Sequence, residues 1–255
     1  MASANFILNP QSSILNPVMI PLRHTLTRRT TPAVNRALVV ANVVVFFAQL
    51  FMGSMTERII GTFGYIPARL VDPAAFHFAP WEVAITLVTS LFLHGGFVHL
   101  FGNMIYLWVF GDAVEDVMGH VRFFFFYIAC GAMGSLTHTI LFPASMIPSI
   151  GASGSIAGVL GAFLILRPHG RIVTLFPLVV YWAMAEIPAI VFLPVWLGMQ
   201  FFNGFLSLEA ARRTQEVAGI AWWAHVGGFL FGAAVALAFR LLKRESAGVS
   251  AGASE

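Results

Sequence analysis

Gly151-Ala152-Ser153-Gly154 heads the run Ser155 to Leu166, a segment without a single charge that follows a proline-containing turn. The tetrad is a polar notch at the mouth of an apolar helix, and it decides how the surrounding chain is read. Standing alone, such a tetrad reads as a turn or a small packing residue. A second uncharged run, Ile220 to Phe239, carries His225 near its start, so a hydroxyl and an imidazole fall at the ends of two candidate membrane helices.

Composition places both runs in a bilayer. The 255 residues are 58% hydrophobic and only 10% charged, with a mean hydropathy of +0.84, whereas soluble domains carry about 25% charged residues. Several segments approach the roughly 20 residues needed to cross a hydrocarbon core. The expected fold class is therefore an all-α polytopic membrane protein, a six-transmembrane-helix bundle. Its spans are expected near Arg36–Gly53, Val98–Phe110, Val121–Phe142, Ser153–Leu166, Pro188–Phe205 and Ile220–Leu242. Residues 1–34, with Pro10, Pro17, Pro21 and Pro32, read as a flexible cytoplasmic tail, residues 35–243 as the six-span domain, and residues 244–255 as a cytoplasmic C-terminal tail. The 54–93 connection is too aromatic and proline-rich for a solvated linker and reads as an interfacial outer loop. Residues Arg171 to Glu186 read either as re-entrant or as a proline-broken start of the fifth span.

The net charge of +3 does not mark a nucleic-acid binder, because the basic residues flank the apolar segments instead of forming one patch. Arg23, Arg28, Arg29, Arg36, Arg122, Arg167, Arg171, Arg240, Lys243 and Arg244 fall on one side, and Arg58, Arg69, Arg212 and Arg213 on the other. The positive-inside rule then puts both termini in the cytoplasm and Ser153 at the outer end. The expected location is the bacterial cytoplasmic membrane; an arginine-bearing N-terminus free of acidic residues keeps an organellar transit segment as the alternative. The single cysteine, Cys130, has no partner and reads as a packing residue.

A serine hydroxyl needs a base within hydrogen-bond reach and donors for the developing oxyanion. At the start of a helix Ser153 has free backbone N–H groups and the positive end of the dipole beside it. Gly154, Gly158 and Gly161 form one small-residue stripe, and His225, Gly228 and Gly232 another, which would let two helices close until Ser153 meets His225. His99 and Asn103, at i and i+4, share a helical face, with His94 just before them. His94 and His99 lie about 140° apart on a helix with no carboxylate nearby in sequence, so no metal and no cofactor are expected. Asp112 and Glu115, after Gly111, read as a helix stop followed by a structural capping box. Trp222 and Trp223 read as an interfacial pair.

The string His94-Gly95-Gly96-Phe97-Val98-His99-Leu100-Phe101-Gly102-Asn103, then Gly151-Ala152-Ser153-Gly154, then His225-Val226-Gly227-Gly228 with Gly232, resembles the rhomboid family of intramembrane serine proteases over about Arg36 to Leu242. The resemblance implies Ser153 as nucleophile and His225 as general base. His99, Asn103 and the Ser153 N–H become the oxyanion hole, His94 a support of the water-accessible cavity, and Gly154, Gly158, Gly228 and Gly232 helix contacts. It also implies membrane-protein substrates whose transmembrane segments are helix-destabilised. Two departures stand out. Ala157 occupies a position where some members have a ring packed on the histidine, and Trp81-Glu82 stands where some have Trp-Arg. The fifth span, with Pro188 and Pro194, reads as a movable wall or as a fixed kink. The expected function is an intramembrane serine endopeptidase. A catalytically silent relative that binds client transmembrane segments is the alternative.

Overall fold

The computed structural model describes residues 19–177, 182–214 and 221–252, and side chains of residues 177, 212–214 and 245–252 are left aside. Six long or apolar helices cross the bundle: α1 Ala33–Phe51, α5 Phe97–Met118, α6 His120–Leu141, α7 Ser153–Leu166, α8 Ala189–Thr214 and α9 Trp222–Gly252. Between the first two lie the short helices α2 Thr56–Phe63, α3 Pro67–Val71 and α4 Pro80–Thr89, so the 54–93 connection is folded. Among the described residues, five helices are long and apolar enough to cross a membrane. The sixth, α7, has 14 residues, about 21 Å of rise, less than the roughly 30 Å hydrocarbon thickness. It survives because α5, α6, α8 and α9 surround it: Ser153 through Phe163 are all buried. A short helix enclosed by longer ones keeps its first residue, Ser153, buried inside the bundle.

The all-α expectation needs one addition. A three-stranded antiparallel sheet is built from β1 Ile20–His24, β2 Arg171–Pro177 and β3 Trp182–Pro188, in that order. Arg171–Pro177 and Trp182–Pro188 are therefore strands and not the start of a helical span; Ile172, Val173 and Thr174 are β-branched residues that favour the extended chain, and Arg171 pairs with Pro188 where α8 begins. Ile20 pairs with Leu175 and His24 with Ile172, which fixes part of the segment read as a flexible tail. Residues 1–18 of that tail, the 215–220 connection containing Ile220, and residues 253–255 lie outside the described residues.

Charge explains why the tail docks. Gly111 does not stop the second span: α5 runs to Met118, and Asp112, Glu115 and Asp116 lie on its last turns. Glu115 accepts the N–H groups of Val34 and Asn35 at 3.0 and 2.7 Å, satisfying orphan donors at the start of α1 from another helix. Asp116 accepts from the Arg29 and Thr30 N–H groups at 2.9 and 2.8 Å, and Asp112 meets His24 at 2.8 Å and Arg28 at 3.4 Å. The carboxylates are structural, as the capping reading had it, but they cap a neighbouring helix and the segment leading to it. At the other end of the chain α9 continues past Lys243 to Gly252, where a tail was expected.

The α7–α9 contact is the tightest in the bundle. A Cβ built on Gly228 would overlap the carbonyl oxygen of Gly154, one on Gly232 the Gly158 backbone, and one on Gly161 the Phe229 carbonyl. Gly158 is walled by the Cys130 side chain, so the buried thiol is a packing group. Gly154 differs from the other three expected contact glycines: a Cβ there would stand 3.7 Å from its neighbours, an ordinary contact.

Candidate active site

Helices α7 and α9 both begin at the same end of the bundle, and their close approach brings Ser153 and His225 together. Ser153 Oγ lies 2.8 Å from His225 Nε2, and the two residues are 9% and 2% exposed. The other imidazole nitrogen, Nδ1, is 2.8 Å from Gln200 Oε1 on α8. An amide oxygen only accepts, so Nδ1 carries the proton and donates it, leaving the Nε2 lone pair for the Ser153 hydroxyl. This is the tautomer a general base requires.

Gly151 holds the turn before α7 at φ +116°, in the left-handed half of backbone space that a side chain disfavours. Space demands glycine as well, since a Cβ there would stand 2.6 Å from His99 Nε2 and 3.5 Å from Asn103 Nδ2. Both side chains, one helical turn apart on α5, thus border the chain two residues ahead of Ser153. The Gly95 N–H donates to His99 Nδ1 at 3.3 Å, which leaves Nε2–H as the free donor facing the turn. Asn103 is fully buried, and neither its oxygen nor its nitrogen has a partner among the described residues. A buried amide without partners costs on the order of 1–3 kcal/mol. His94 lies behind His99, with ring centroids 5.0 Å apart. Its backbone N–H and C=O are both bonded to the Gln49 side chain, at 3.1 and 3.3 Å.

Two functional candidates escaped the sequence reading. Ala157 is buried and offers no ring, but Trp196, fully buried on α8, lies 6.3 Å from the His225 ring, and Trp222 meets it edge-on at 6.0 Å. Trp196 and Gln200 are four residues apart, one turn of α8, so a single helix supplies both a packing surface and the hydrogen-bond acceptor. A glutamine in an apolar span was the available signal. Trp222 and Trp223, read as an interfacial pair, also make specific contacts inside the bundle: Trp222 leans on His225, and Trp223 Nε1–H donates to the Gly204 carbonyl at 3.1 Å. Glu82 caps α4 by accepting from the Ala79 N–H at 2.7 Å, while Trp81 is exposed.

Fold and site together define a helical integral membrane protein with a serine–histidine pair buried among its spans. The family model of the rhomboid domain matches residues 81–242, and the chain belongs to the rhomboid family. It is 42% identical over 85 residues to Rhomboid protease GluP of Bacillus subtilis, covering 33% of this chain and 16% of that protein. Over 93 residues it is 40% identical to Rhomboid protein 1, mitochondrial, of Saccharomyces cerevisiae, covering 34% of this chain and 27% of that one. A longer match, 29% identical over 154 residues, joins it to the mouse mitochondrial presenilin-associated rhomboid-like protein, covering 57% and 36% respectively. The chain thus spans well under half the length of these relatives.

Proposed function

We propose that this protein is an intramembrane serine endopeptidase that cleaves transmembrane segments of other membrane proteins. The observation that carries the reading is the 2.8 Å Ser153 Oγ to His225 Nε2 hydrogen bond at a buried helix start, with Asn103 and His99 donors beside it. A substrate segment must unwind locally, because an intact helix keeps its carbonyls in hydrogen bonds; helix-weakening residues in the substrate follow. Ser153 Oγ then bonds to the scissile carbonyl carbon while its proton passes to His225 Nε2. The Ser153 N–H, His99 Nε2–H and Asn103 amide hold the oxyanion. Collapse breaks the C–N bond and the leaving amine takes the proton from His225; water repeats the sequence on the acyl-enzyme.

The relatives divide between a bacterial protein and mitochondrial ones. The basic-residue bias supports an orientation with both termini on the inner side of the membrane, which a reporter fused at either end tests.

A serine-reactive fluorophosphonate, together with a single-span reporter substrate, tests the activity. A folded wild-type protein that takes no label and cuts no reporter would leave the client-binding reading in its place. Within the active protein, Asn103→Ala should lower turnover by about 10²- to 10³-fold while leaving labelling detectable. Full activity in that variant would remove Asn103 from the oxyanion hole.

Gln200 and Trp196 answer what orients His225 when residue 157 is alanine. Gln200→Met keeps the volume but strips the acceptor, leaving Nδ1–H buried and unpartnered. Turnover should fall by about 10- to 100-fold with KM little changed, and Gln200→Glu, which restores an acceptor, should recover most of it. Equal activity in Gln200→Met and wild type would assign Gln200 to packing alone. Because α8 also contains Pro194, any outward movement of this helix takes both supports away from the base. Cleavage of a membrane substrate unaffected by an α8–α5 crosslink would overturn α8 as the substrate's doorway.

A further inference from the structure

A cavity of about 510 Å³ opens at the other end of the bundle from Ser153. Its walls come from four parts of the chain: the segment before α1, the end of α5, the end of α7 with the residues after it, and the Phe239 to Arg244 turns of α9. Arg29, Arg167, Arg240, Lys243 and Arg244 line it, against a single carboxylate, Asp116. That carboxylate is already occupied by the Thr30 hydroxyl, two backbone N–H groups and the Arg167 guanidinium.

Accounting for each cation separates helix capping from what is left over. Arg167 is spent on Asp116 at 3.3 Å, and Arg240 donates to the Ile165 carbonyl at 3.1 Å near the open C-terminal end of α7. Arg29, Lys243 and Arg244 make no ion pair among the described residues. Three cations with no ion pair among the described residues, Arg29 ahead of α1 and the adjacent Lys243 and Arg244 on α9, therefore converge on one cavity. Beneath them the wall is apolar, with Val117, Leu166, Pro168 and Phe239.

Cations over an apolar wall, at the ends of membrane-crossing helices, match an amphiphile whose charged part is an oxyanion. We infer that this cavity is a binding site for the headgroup of an anionic phospholipid. The phosphodiester sits among Arg29, Lys243 and Arg244, and the acyl chains run along Leu166 and Phe239. Phosphate oxygens are the shared chemistry of a lipid headgroup and of free phosphate; the apolar wall selects the lipid. Since α7 and α9 carry Ser153 and His225 at their opposite ends, the bound lipid clamps the same helix pair that forms the site, but the inference does not depend on the dyad being catalytic.

The full chain is reconstituted in nanodiscs of phosphatidylcholine with or without phosphatidylglycerol, and retained lipid is measured by native mass spectrometry. Wild type should retain phosphatidylglycerol in preference to phosphatidylcholine. Lys243→Gln with Arg244→Gln should weaken that retention by roughly ten- to thirtyfold, and Arg29→Gln alone by a smaller factor. Arg23→Gln with Arg36→Gln removes the same charge outside this cavity and should leave retention within about twofold of wild type. Size-exclusion elution and thermal melting identify the folded variants; since Lys243 and Arg244 are exposed, both pairs should pass. Equal loss in the two paired variants would mean general attraction to a charged surface and would overturn the site. So would saturation of the cavity by inorganic phosphate in phosphatidylcholine discs, which would make the free anion the ligand.

Discussion

Replacing Ser153 with alanine is expected to abolish both covalent labelling by a fluorophosphonate and cleavage of a single-span reporter, a loss of at least about 10⁴-fold. Under the proposed mechanism the substitution removes the atom that bonds to the substrate carbon, and it adds no volume in a place where the hydroxyl makes one hydrogen bond among the described residues, to His225. The bundle should melt where the wild type does. His225→Ala should cost as much, because without the Nε2 lone pair the hydroxyl keeps its proton. Groups that act as one unit are strongly non-additive. The Ser153→Ala, His225→Ala double variant should therefore be no slower than either single variant. Residual turnover that survives in Ser153→Ala and falls again in the double variant would mean that a different nucleophile uses His225. Label that persists in Ser153→Ala would end the serine-protease reading.

Gly232→Val should destroy the helix contact on which the site depends. A Cβ at Gly232 overlaps the backbone of Gly158, and backbone atoms of a buried helix have no rotamer through which to yield. Overpacking of this kind costs about 1–3 kcal/mol even where neighbours are side chains, and between membrane helices close packing is itself the main source of association. A fall in melting temperature of roughly 5–10 °C is expected. Activity should fall further than stability, since α7 and α9 must part and a displacement near 1 Å at the reacting groups costs about 10²-fold. Gly154→Ala provides the contrast: its Cβ has ordinary room, so the melting temperature should stay near wild type. A Gly232→Val protein that melts and cleaves like wild type would overturn the account of this interface.

The glycine stripes illustrate what one sequence makes legible. Spacing at i, i+3, i+4 and i+7 puts residues on one face whatever the fold, so Gly158, Gly228 and Gly232 were readable as contact positions. Spacing does not state which backbone lies opposite, and that is why Gly154 was grouped with the tight positions although its neighbours stand farther off. The sheet was hidden for a different reason. Ile20–His24 and Arg171–Pro177 are far apart in sequence, and a strand's hydrogen bonds are satisfied only by a partner the local pattern does not name. Asp112 and Glu115 misled because capping was sought within their own helix, while the N–H groups they satisfy belong to α1 and the segment before it.

By itself the sequence determined that the chain lives in a membrane and which residue types could perform acyl transfer. Apolar content over span lengths leaves no soluble alternative, and serine, histidine and asparagine are chemically conspicuous among such residues. Only the tertiary structure decided how the base is held. Gln200 and Trp196 stand on α8, more than twenty residues from His225, and although a glutamine in an apolar span signals an inward position, nothing in the local pattern names the side chain it meets. Their approach to the imidazole is fixed by how α8 packs against α9. The hydrogen bond from Nδ1 to Gln200, which selects the tautomer, therefore depends on the packing of α8 against α9 and on neither helix alone.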